Sequence, residues 1–295
     1  MARLTQHDFD PEVLTLFDQY VHGSLDRRGF ISQAGRYAVG GATGATLLAA
    51  LSPSFAATMV APTDARLKTS HVEYPSPQGY GTLRGYLATP ANVTGKLPTV
   101  LVVHENRGLN PHIEDITRRV ALDGYIAFAP DALFPLGGYP GDEDKARALF
   151  GKLDQVKTRA DFVAAADMLR KIDNGNARVG VVGFCYGGGI ANYLPTVLKN
   201  IDASVAFYGA QAPAAEVPKM KTPMMIHDAE MDTRVLAGWP AYEAALIANK
   251  VEYQHFVYPG AQHGFNNDTT PRYDEAAAKL AWQRTMDFFA KKLRT

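Results

Sequence analysis

Residues 67–295 alternate between short apolar segments and amphipathic stretches, with turn residues between them. Segments 71–74 and 82–87 flank a turn that contains proline and glycine, and together they predict a β-hairpin. Residues 98–104 form a continuous apolar run, which is typical of a strand buried on both faces of a parallel sheet. Five further apolar segments predict strands: 125–129, 178–183, 203–208, 223–227 and 253–258.

Amphipathic segments between these strands predict helices. They cover 113–123, 143–150, 158–173, 188–194, 242–249 and 273–293. Regular alternation of strand and helix indicates a doubly wound, mostly parallel α/β sheet of about eight strands, with helices on both faces and an antiparallel start. No repeat or internal linker interrupts this part of the chain, so it predicts one large domain.

The first sixty residues follow a different pattern. Arg27 and Arg28 precede an uncharged run at 37–51 and a short stretch of small residues at 54–56. This order of charged, apolar and small residues is similar to a twin-arginine export signal. The apolar run is too short and too rich in glycine to remain as a membrane span. The pattern predicts an exported, periplasmic protein with two parts: a signal over 1–57 and a domain over 58–295.

A second interpretation of the first 57 residues stays open. Asp26 stands directly before the arginines, which departs from the export pattern. Six apolar residues also fall on one face of a helix ahead of the arginines: Phe9, Val13, Leu16, Phe17, Tyr20 and Val21. A simple export signal rarely needs such a face. The alternative is a retained helical arm in a cytoplasmic protein, packed on the domain or on a second subunit in a homo-oligomer.

Composition narrows the classes of function. The 295 residues are 46% hydrophobic and carry thirty basic and thirty acidic side chains, so no charge footprint for nucleic acid is present. The single cysteine cannot form an intrachain disulfide. Its spacing from the histidines matches no common metal site, and no dinucleotide or phosphate motif is evident. We expect a soluble enzyme that uses no metal or cofactor and acts on a small molecule.

The single cysteine lies in the most distinctive motif, Gly-Phe-Cys-Tyr-Gly at 183–187. The segments around it predict a strand, a sharp turn and a helix. A nucleophile elbow needs this context, because flanking glycines let strand and helix approach while the central side chain projects above the sheet edge. Cys185 is therefore a candidate nucleophile. The alternative is a buried core thiol, because free cysteine is among the most buried residue types.

Two later loops supply candidate partners for Cys185. The loop after the seventh predicted strand carries Asp228 and Asp232, and the loop after the eighth carries His263. Nucleophile, acid and histidine thus follow in the order that α/β-hydrolases use. Both aspartates are candidates for the acid, and Asp228 lies nearer to its strand. The order of these groups favours the nucleophile over the core thiol and predicts an α/β-hydrolase fold.

With these residues in place, residues 67–295 resemble the dienelactone hydrolase family. The resemblance rests on Gly-Phe-Cys-Tyr-Gly-Gly at the elbow, Val-His-Glu at 103–105, Asp232, and His-Gly-Phe at 263–265. The first sixty residues also look like those of a bacterial branch of the family with an arginine-containing leader. Within that branch, the motifs at 104–110 and 270–274 look characteristic.

The resemblance implies a role for each of four residues. Cys185 is the nucleophile, His263 the base, and Asp232 rather than Asp228 the acid that orients the base. Glu105 is a companion acid that holds the resting thiol and accepts its proton. A free thiol titrates near ~8.5, so such an acceptor helps to form the thiolate. Two backbone N–H groups, of Asn106 and Tyr186, are expected to form the oxyanion hole.

The substrate pocket departs from the family pattern. Family members that act on dienelactone hold its carboxylate with two arginines, and this chain has Asn267 at one position and Gly-Asp-Glu at the other, 141–143. Four basic residues are candidate substitutes, Arg107, Lys145, Arg147 and Arg272, and Asn267 itself is a candidate substrate-binding residue. Three aromatic residues are candidate pocket walls: Tyr139, Tyr186 and Trp239.

The sequence therefore predicts hydrolysis of a small ester or lactone through a thioester on Cys185. Two alternatives stay open. One is a general esterase or thioesterase that does not act on dienelactone, which the unmatched arginines favour. The other is a catalytically silent binding or scaffold protein of the same fold.

Overall fold

The computed structural model describes residues 3–56 and 58–294, so Ala57, at the predicted boundary, lies outside the described residues. Its centre is a single eight-stranded sheet in the order β1-β2-β4-β3-β5-β6-β7-β8. The strands are β1 Leu67–Ser76, β2 Gly81–Pro90, β3 Leu97–Val103, β4 Ile126–Pro130, β5 Gly175–Phe184, β6 Ala203–Phe207, β7 Met224–Ala229 and β8 Tyr253–Tyr258. Strand β2 is antiparallel to both of its neighbours, and the remaining pairs are parallel. The predicted mostly parallel sheet is confirmed.

The parallel register brings the carboxyl ends of six strands, β3 to β8, to one edge. Val103 at the end of β3 pairs with Gly183 of β5, and Phe184 pairs with Phe207 of β6. Phe207 in turn pairs with His227 of β7. Loops that leave parallel strands at a common edge lie next to one another, which is where open α/β sheets bind ligands. The candidate nucleophile, acid and histidine all follow strands of this set.

Helices cover both faces of the sheet, as predicted. In the domain they are α4 Pro111–Leu122, α5 Glu143–Phe150, α6 Gln155–Leu169, α7 Tyr186–Val197, α8 Thr233–Leu236, α9 Trp239–Ala248 and α10 Glu275–Leu293. Helices α4 and α10 pack in one buried cluster with the sheet, whereas α5, α6 and α7 pack in another. These two apolar layers make the sheet a rigid base for the loops at its carboxyl edge.

The first part of the chain folds into three short helices, α1 Pro11–His22, α2 Arg27–Ala34 and α3 Gly44–Leu51, which we call the N-terminal arm together with their connections. The amphipathic face predicted for α1 is buried against α2: the ring centroids of Phe17 and Tyr20 lie 6.0 and 5.7 Å from that of Phe30. Asp10 caps the start of α1, and Gly23, with φ of 85°, ends it. Among the described residues, no helix has the length and apolar character needed to cross a bilayer.

The arm packs on the domain of its own chain. The side-chain amide of Asn106 donates to the backbone oxygen of Val21 at 3.0 Å. The Arg147 guanidinium lies 4.2 Å from the centroid of the Tyr20 ring. Arg27, one of the arginines of the predicted export signal, forms an ion pair with Asp144 at 2.8 Å. Export, removal of the arm and dimerisation through it stay predictions.

We expect Phe30→Ala to loosen the arm while the sheet stays folded. Phe30 is fully buried in the arm's own cluster, and removing such a ring costs about 3–5 kcal/mol. Hydrogen exchange should therefore quicken throughout α1 and α2 and stay slow in β3 and β5. Leu4→Ala, at a residue that is 46% exposed, is the control. Unchanged exchange in α1 would contradict this view of the arm.

Candidate active site

Cys185 occupies a strained turn between β5 and α7. Its backbone lies at φ 54° and ψ −112°, a conformation that non-glycine residues rarely adopt. A Cβ added at Gly183 would lie 1.9 Å from the backbone oxygen of Gly187, and one added at Gly187 would lie 2.2 Å from that of Val103. Only glycine permits this contact of β3, β5 and α7. The predicted strand, turn and helix are present, and the Cys185 thiol stands at the carboxyl edge of the sheet.

His263 and Asp232 form a close pair beside Cys185. The Nδ1 atom of His263 lies 2.5 Å from Oδ2 of Asp232, and both side chains are almost fully buried. Asp232 is fixed in turn by the backbone N–H of Val235, which donates to Oδ1 at 3.2 Å. The imidazole of His263 therefore has its Nδ1 committed to Asp232. Within the described part of the chain its Nε2 has no hydrogen-bond partner.

Asp228, the other candidate acid, lies elsewhere. It belongs to the buried end of β7, and its carboxylate pairs with Nε2 of His255 at 3.0 Å. The distances therefore single out Asp232 as the partner of His263. A side chain at the end of a strand is held by the sheet, whereas Asp232 lies on a loop that reaches across to the β8 loop.

The thiol of Cys185 lies between two histidines. Its Sγ is 3.6 Å from Nε2 of His22, and Sγ and one ring nitrogen each of His22 and His263 all lie within 4.8 Å of one another. Burial raises the pKa of Cys185, but the charge of the nearby His263 and the contact with His22 outweigh burial and lower it to about 6. The neighbouring thiolate and the Asp232 carboxylate raise the pKa of His263 despite its burial. The site thus favours a thiolate–imidazolium pair.

His22 is a site residue that sequence reasoning missed. It is the last residue of α1, and its Nδ1 lies 2.8 Å from the backbone oxygen of Asp18 and 3.2 Å from the Asp18 carboxylate. Although burial lowers the pKa of His22, Asp18 and Cys185 raise it overall. The amphipathic face of α1 indicated that this helix packs on something. Nothing in the sequence indicated that its last residue contacts the elbow.

Glu105 does not contact the thiol as the resemblance implied. It follows β3 and accepts a hydrogen bond at 3.1 Å from the side chain of Asn267. The Sγ atom of Cys185 is within hydrogen-bond distance of Nε2 of His22 instead. Glu105 does line the cavity next to Cys185, so its role as a companion acid stays a prediction.

Two cavities meet at Cys185. The first, of about 300 Å³, lies between the arm and the loops after β3 and β8. The second, of about 520 Å³, extends toward α5 and the residues after β6. Four residues line both cavities: His22, Asn106, Cys185 and His263. A molecule bound at Sγ therefore has room on either side.

For the sheet domain, the comparisons with known proteins point to one family. A family model described as "Dienelactone hydrolase family" matches residues 83–293. The chain belongs to the dienelactone hydrolase family. A "Putative carboxymethylenebutenolidase" of Synechocystis is 34% identical over 230 residues, which cover 72% of this chain and 93% of that protein.

Two further matches extend the comparison. The "Putative hydrolase fragment YghX" of Escherichia coli is 54% identical over 113 residues, which are 38% of this chain and 97% of that protein. The crystal structure of a "Putative Dienelactone Hydrolase" of Klebsiella pneumoniae has a TM-score of 0.68 and 28% identity, covering 76% of this chain and 99% of its own. Residues 1–39 match a separate family model described as "YqhI-like". The fold is thus that of a dienelactone hydrolase, with an added arm.

The other predicted site residues of this dienelactone hydrolase relative divide into two groups. Asn106 and Tyr186, the predicted oxyanion donors, line the second cavity beside Cys185. Tyr139 and Asn267 line the first, where the Tyr139 hydroxyl donates to Glu143 at 2.8 Å. Each therefore lies next to the nucleophile position or within the adjoining cavity.

Trp239 is not a wall of either cavity, contrary to its prediction as a pocket residue. It is the first residue of α9, where Pro240 favours a helix start, and its ring lies 3.6 Å from that of His255. It packs in a separate buried cluster with Tyr242 and Tyr253. The predicted helix began at 242, whereas the observed helix begins at Trp239 itself. The helix start instead commits its side chain to the core.

Two buried arginines line the first cavity without full hydrogen bonding. Arg107 is 6% exposed and Arg272 is 8% exposed. Among the described residues, Nε of Arg107 and both Nε and Nη1 of Arg272 have no hydrogen-bond partner. Their nearest carboxylates are at ion-pair distance, Glu143 at 3.6 Å and Asp18 at 3.8 Å. Unpaired buried donors are costly, so these groups have capacity for a ligand oxygen.

The pH dependence of Cys185 alkylation tests this electrostatic environment. Because only the thiolate reacts, the rate with iodoacetamide should rise through a midpoint near pH 6 in the wild type. His263→Ala removes the largest favourable charge, so its midpoint should move upward. A wild-type midpoint near ~8.5, the value of a free thiol, would contradict the thiolate–imidazolium pair.

Proposed function

We propose that this hydrolase cleaves a small ester or lactone, with Cys185 as the nucleophile and a thioester as the intermediate. The observation that carries the proposal is the elbow thiol beside the His263–Asp232 pair. A thiol with a lowered pKa next to an oriented imidazole is the arrangement that nucleophilic catalysis requires. Membership of the dienelactone hydrolase family supports the same chemistry.

Acylation follows from the positions of these groups. The Cys185 thiolate attacks the carbonyl carbon, and the C–O bond to the leaving group breaks. His263 gives its proton to the departing alkoxide, while Asp232 keeps the imidazole in the required tautomer. The product is a thioester on Cys185 and a free alcohol, or the opened chain if the substrate is a lactone.

Deacylation reverses the proton path. His263, now neutral, takes a proton from a water molecule as that water attacks the thioester. The C–S bond breaks, the acid leaves and the thiolate is restored. Backbone N–H groups of Asn106 and Tyr186 would hold the oxyanion in both steps. Each such donor is worth about 3–4 kcal/mol to the transition state.

The first cavity suits a substrate with an anionic group. Arg107 and Arg272 supply its buried cationic donors, and neither is fully hydrogen-bonded within the described chain. They lie on other segments than Asn267 and 141–143, the two positions at which the family resemblance placed its arginines. We therefore propose a carboxylate-bearing ester or lactone of different shape from dienelactone.

A general esterase is the second candidate. Glu143 and Asp18 lie at ion-pair distance from the two arginines and offset part of their charge. The second cavity, which Arg147 and Arg234 border, also has an apolar wall that includes Phe150 and Tyr208. A neutral acyl ester would fit that wall without using Arg107 or Arg272.

A panel of lactones and short acyl esters tests the hydrolase proposal. Wild type should turn over at least one of them, and Cys185→Ala should lose that turnover because no other group forms the acyl-enzyme. Accumulation of a thioester, read as the added mass of the acyl group on intact protein, would identify the nucleophile. Turnover that Cys185→Ala leaves intact, or no turnover on any substrate, would favour a silent binding protein.

Arg272→Gln separates the two classes of substrate. Hydrogen bonds to charged groups contribute about 1.5–3 kcal/mol, so kcat/KM for carboxylate-bearing substrates should fall by roughly 10- to 100-fold. The kcat/KM for a neutral ester of similar size should fall by clearly less, because any effect of Arg272 through Asp18 acts on both substrates alike. Arg36→Gln, at an exposed arginine of the arm, is the matched control. Equal losses on both substrates would contradict the anionic-substrate proposal.

A further inference from the structure

Two histidine–aspartate pairs face the same sulfur atom. His263 pairs with Asp232 from the loops after β8 and β7, and His22 pairs with Asp18 within α1. Each histidine has its Nδ1 directed to an aspartate. The Nε2 of His22 is 3.6 Å from Sγ, and a ring nitrogen of His263 lies in the same cluster. The two rings cross edge to face, with centroids 4.6 Å apart.

Side chains of the domain hold the end of α1, and with it His22, in this position. The side chains of Asn106 and Arg107 both donate to the backbone oxygen of Val21, at 3.0 and 3.3 Å. Arg147 donates to the preceding carbonyl, that of Tyr20. The loop after β3, which carries the predicted oxyanion donor, is thus attached to the residue next to His22.

Asp18 is also positioned by the domain. Its carboxylate lies 3.8 Å from the Arg272 guanidinium and 4.0 Å from that of Arg234. These charges keep Asp18 ionised, and its pKa is well below the usual range, since His22, His263 and Arg272 together outweigh the effect of burial. An ionised Asp18 stabilises a proton on His22, in the way that Asp232 does for His263.

We propose that His22 is a second catalytic histidine, which forms with Asp18 and Cys185 a counterpart of the His263–Asp232 arrangement, so that the N-terminal arm is part of the active site. This inference rests on the proposed function, in which Cys185 is the nucleophile. It gives His22 the role that the family resemblance assigned to Glu105, namely to hold the resting thiol and accept its proton.

The thiol proton and the proton for the leaving group have separate sources. In the resting enzyme the S–H bond of Cys185 breaks, its electron pair stays on sulfur, and the proton passes to Nε2 of His22, which then donates a hydrogen bond to the thiolate. His263 carries a separate proton taken up from solvent. It gives this proton to the leaving alkoxide and regains one from the water that attacks the thioester. One histidine thus serves the leaving group and the other stabilises the sulfur anion.

Charged and titratable groups from six segments face the thiol. They are Asp18 and His22 of α1, Glu105 and Arg107 after β3, Tyr208 after β6, Asp232 and Arg234 around the start of α8, His263 after β8, and Arg272 before α10. Of these, His263 and His22 hold the pKa of Cys185 below its ordinary value.

The test compares iodoacetamide alkylation of Cys185 across a pH series in four full-length proteins. They are wild type, His22→Gln, Glu105→Gln and His7→Gln, the last being the same change at an exposed histidine of the arm. His22→Gln should move the midpoint upward by about one pH unit or more, since a partner of the thiolate is lost. His7→Gln should match wild type.

Asp18→Asn distinguishes the loss of a charge beside His22 from the loss of arm packing. It leaves the His22 ring in place and removes only the carboxylate, so it should raise the midpoint by less than His22→Gln does. Hydrogen exchange of α1 in both variants shows whether the arm still packs. A shifted midpoint with an intact arm supports the proposal, whereas a shift that appears only when α1 loses protection overturns it.

One other outcome would overturn the proposal: a midpoint that is unchanged in His22→Gln, whether or not it moves in Glu105→Gln. Alkylation needs no substrate, so this result stands even if no ester is turned over. Turnover lost in Cys185→Ala together with an unchanged midpoint in His22→Gln would leave the proposed function standing and remove only the role of His22.

Discussion

The close backbone contact between β3, β5 and α7 is the constraint on which the site depends. Gly183 and Gly187 let the start of α7 lie against the ends of both strands, and Cys185 takes up the strain of the turn. This contact fixes the sulfur at the carboxyl edge, between the loops that carry Asn106 and His263. Packed layers on both faces of the sheet oppose its relaxation, since a strained residue persists only where its surroundings over-determine it.

Neighbouring charges determine whether the sulfur of Cys185 is a thiol or a thiolate. A buried thiol in apolar surroundings would stay protonated, because burial disfavours the anion. Here two imidazoles, each supported by an aspartate, reverse that preference. This effect on the thiol depends on close contact. Asp228 and His255 form a similar pair only a few residues from Asp232, but they make no hydrogen bond to the sulfur. Position relative to the sulfur, rather than residue type, distinguishes the His263–Asp232 pair from the His255–Asp228 pair.

Much of the fold and of the candidate site followed from the sequence, for physical reasons. Apolar segments and turn residues gave the eight strands, and chain order brought Cys185, Asp232 and His263 to neighbouring loops. The prediction of Trp239 as a pocket wall was wrong. Trp239 begins α9, where Pro240 favours a helix start, and its side chain packs in the core. His22 was not predicted, since its contact with Cys185 joins residues 163 positions apart and no periodic pattern encodes such a pairing.

The separate core of the arm has a consequence for temperature. Its buried cluster, built on Phe17, Tyr20 and Phe30, is distinct from the clusters that cover the sheet, and polar contacts through Asn106 and Arg147 help to join the two. Units with separate cores can unfold separately, the smaller one first. If His22 takes part in catalysis, heating would unfold the arm and abolish turnover at a temperature at which the sheet domain is still folded. Cooling would refold the arm and restore turnover, and the domain would not need to refold. Thermal unfolding of the arm would then inactivate the enzyme reversibly.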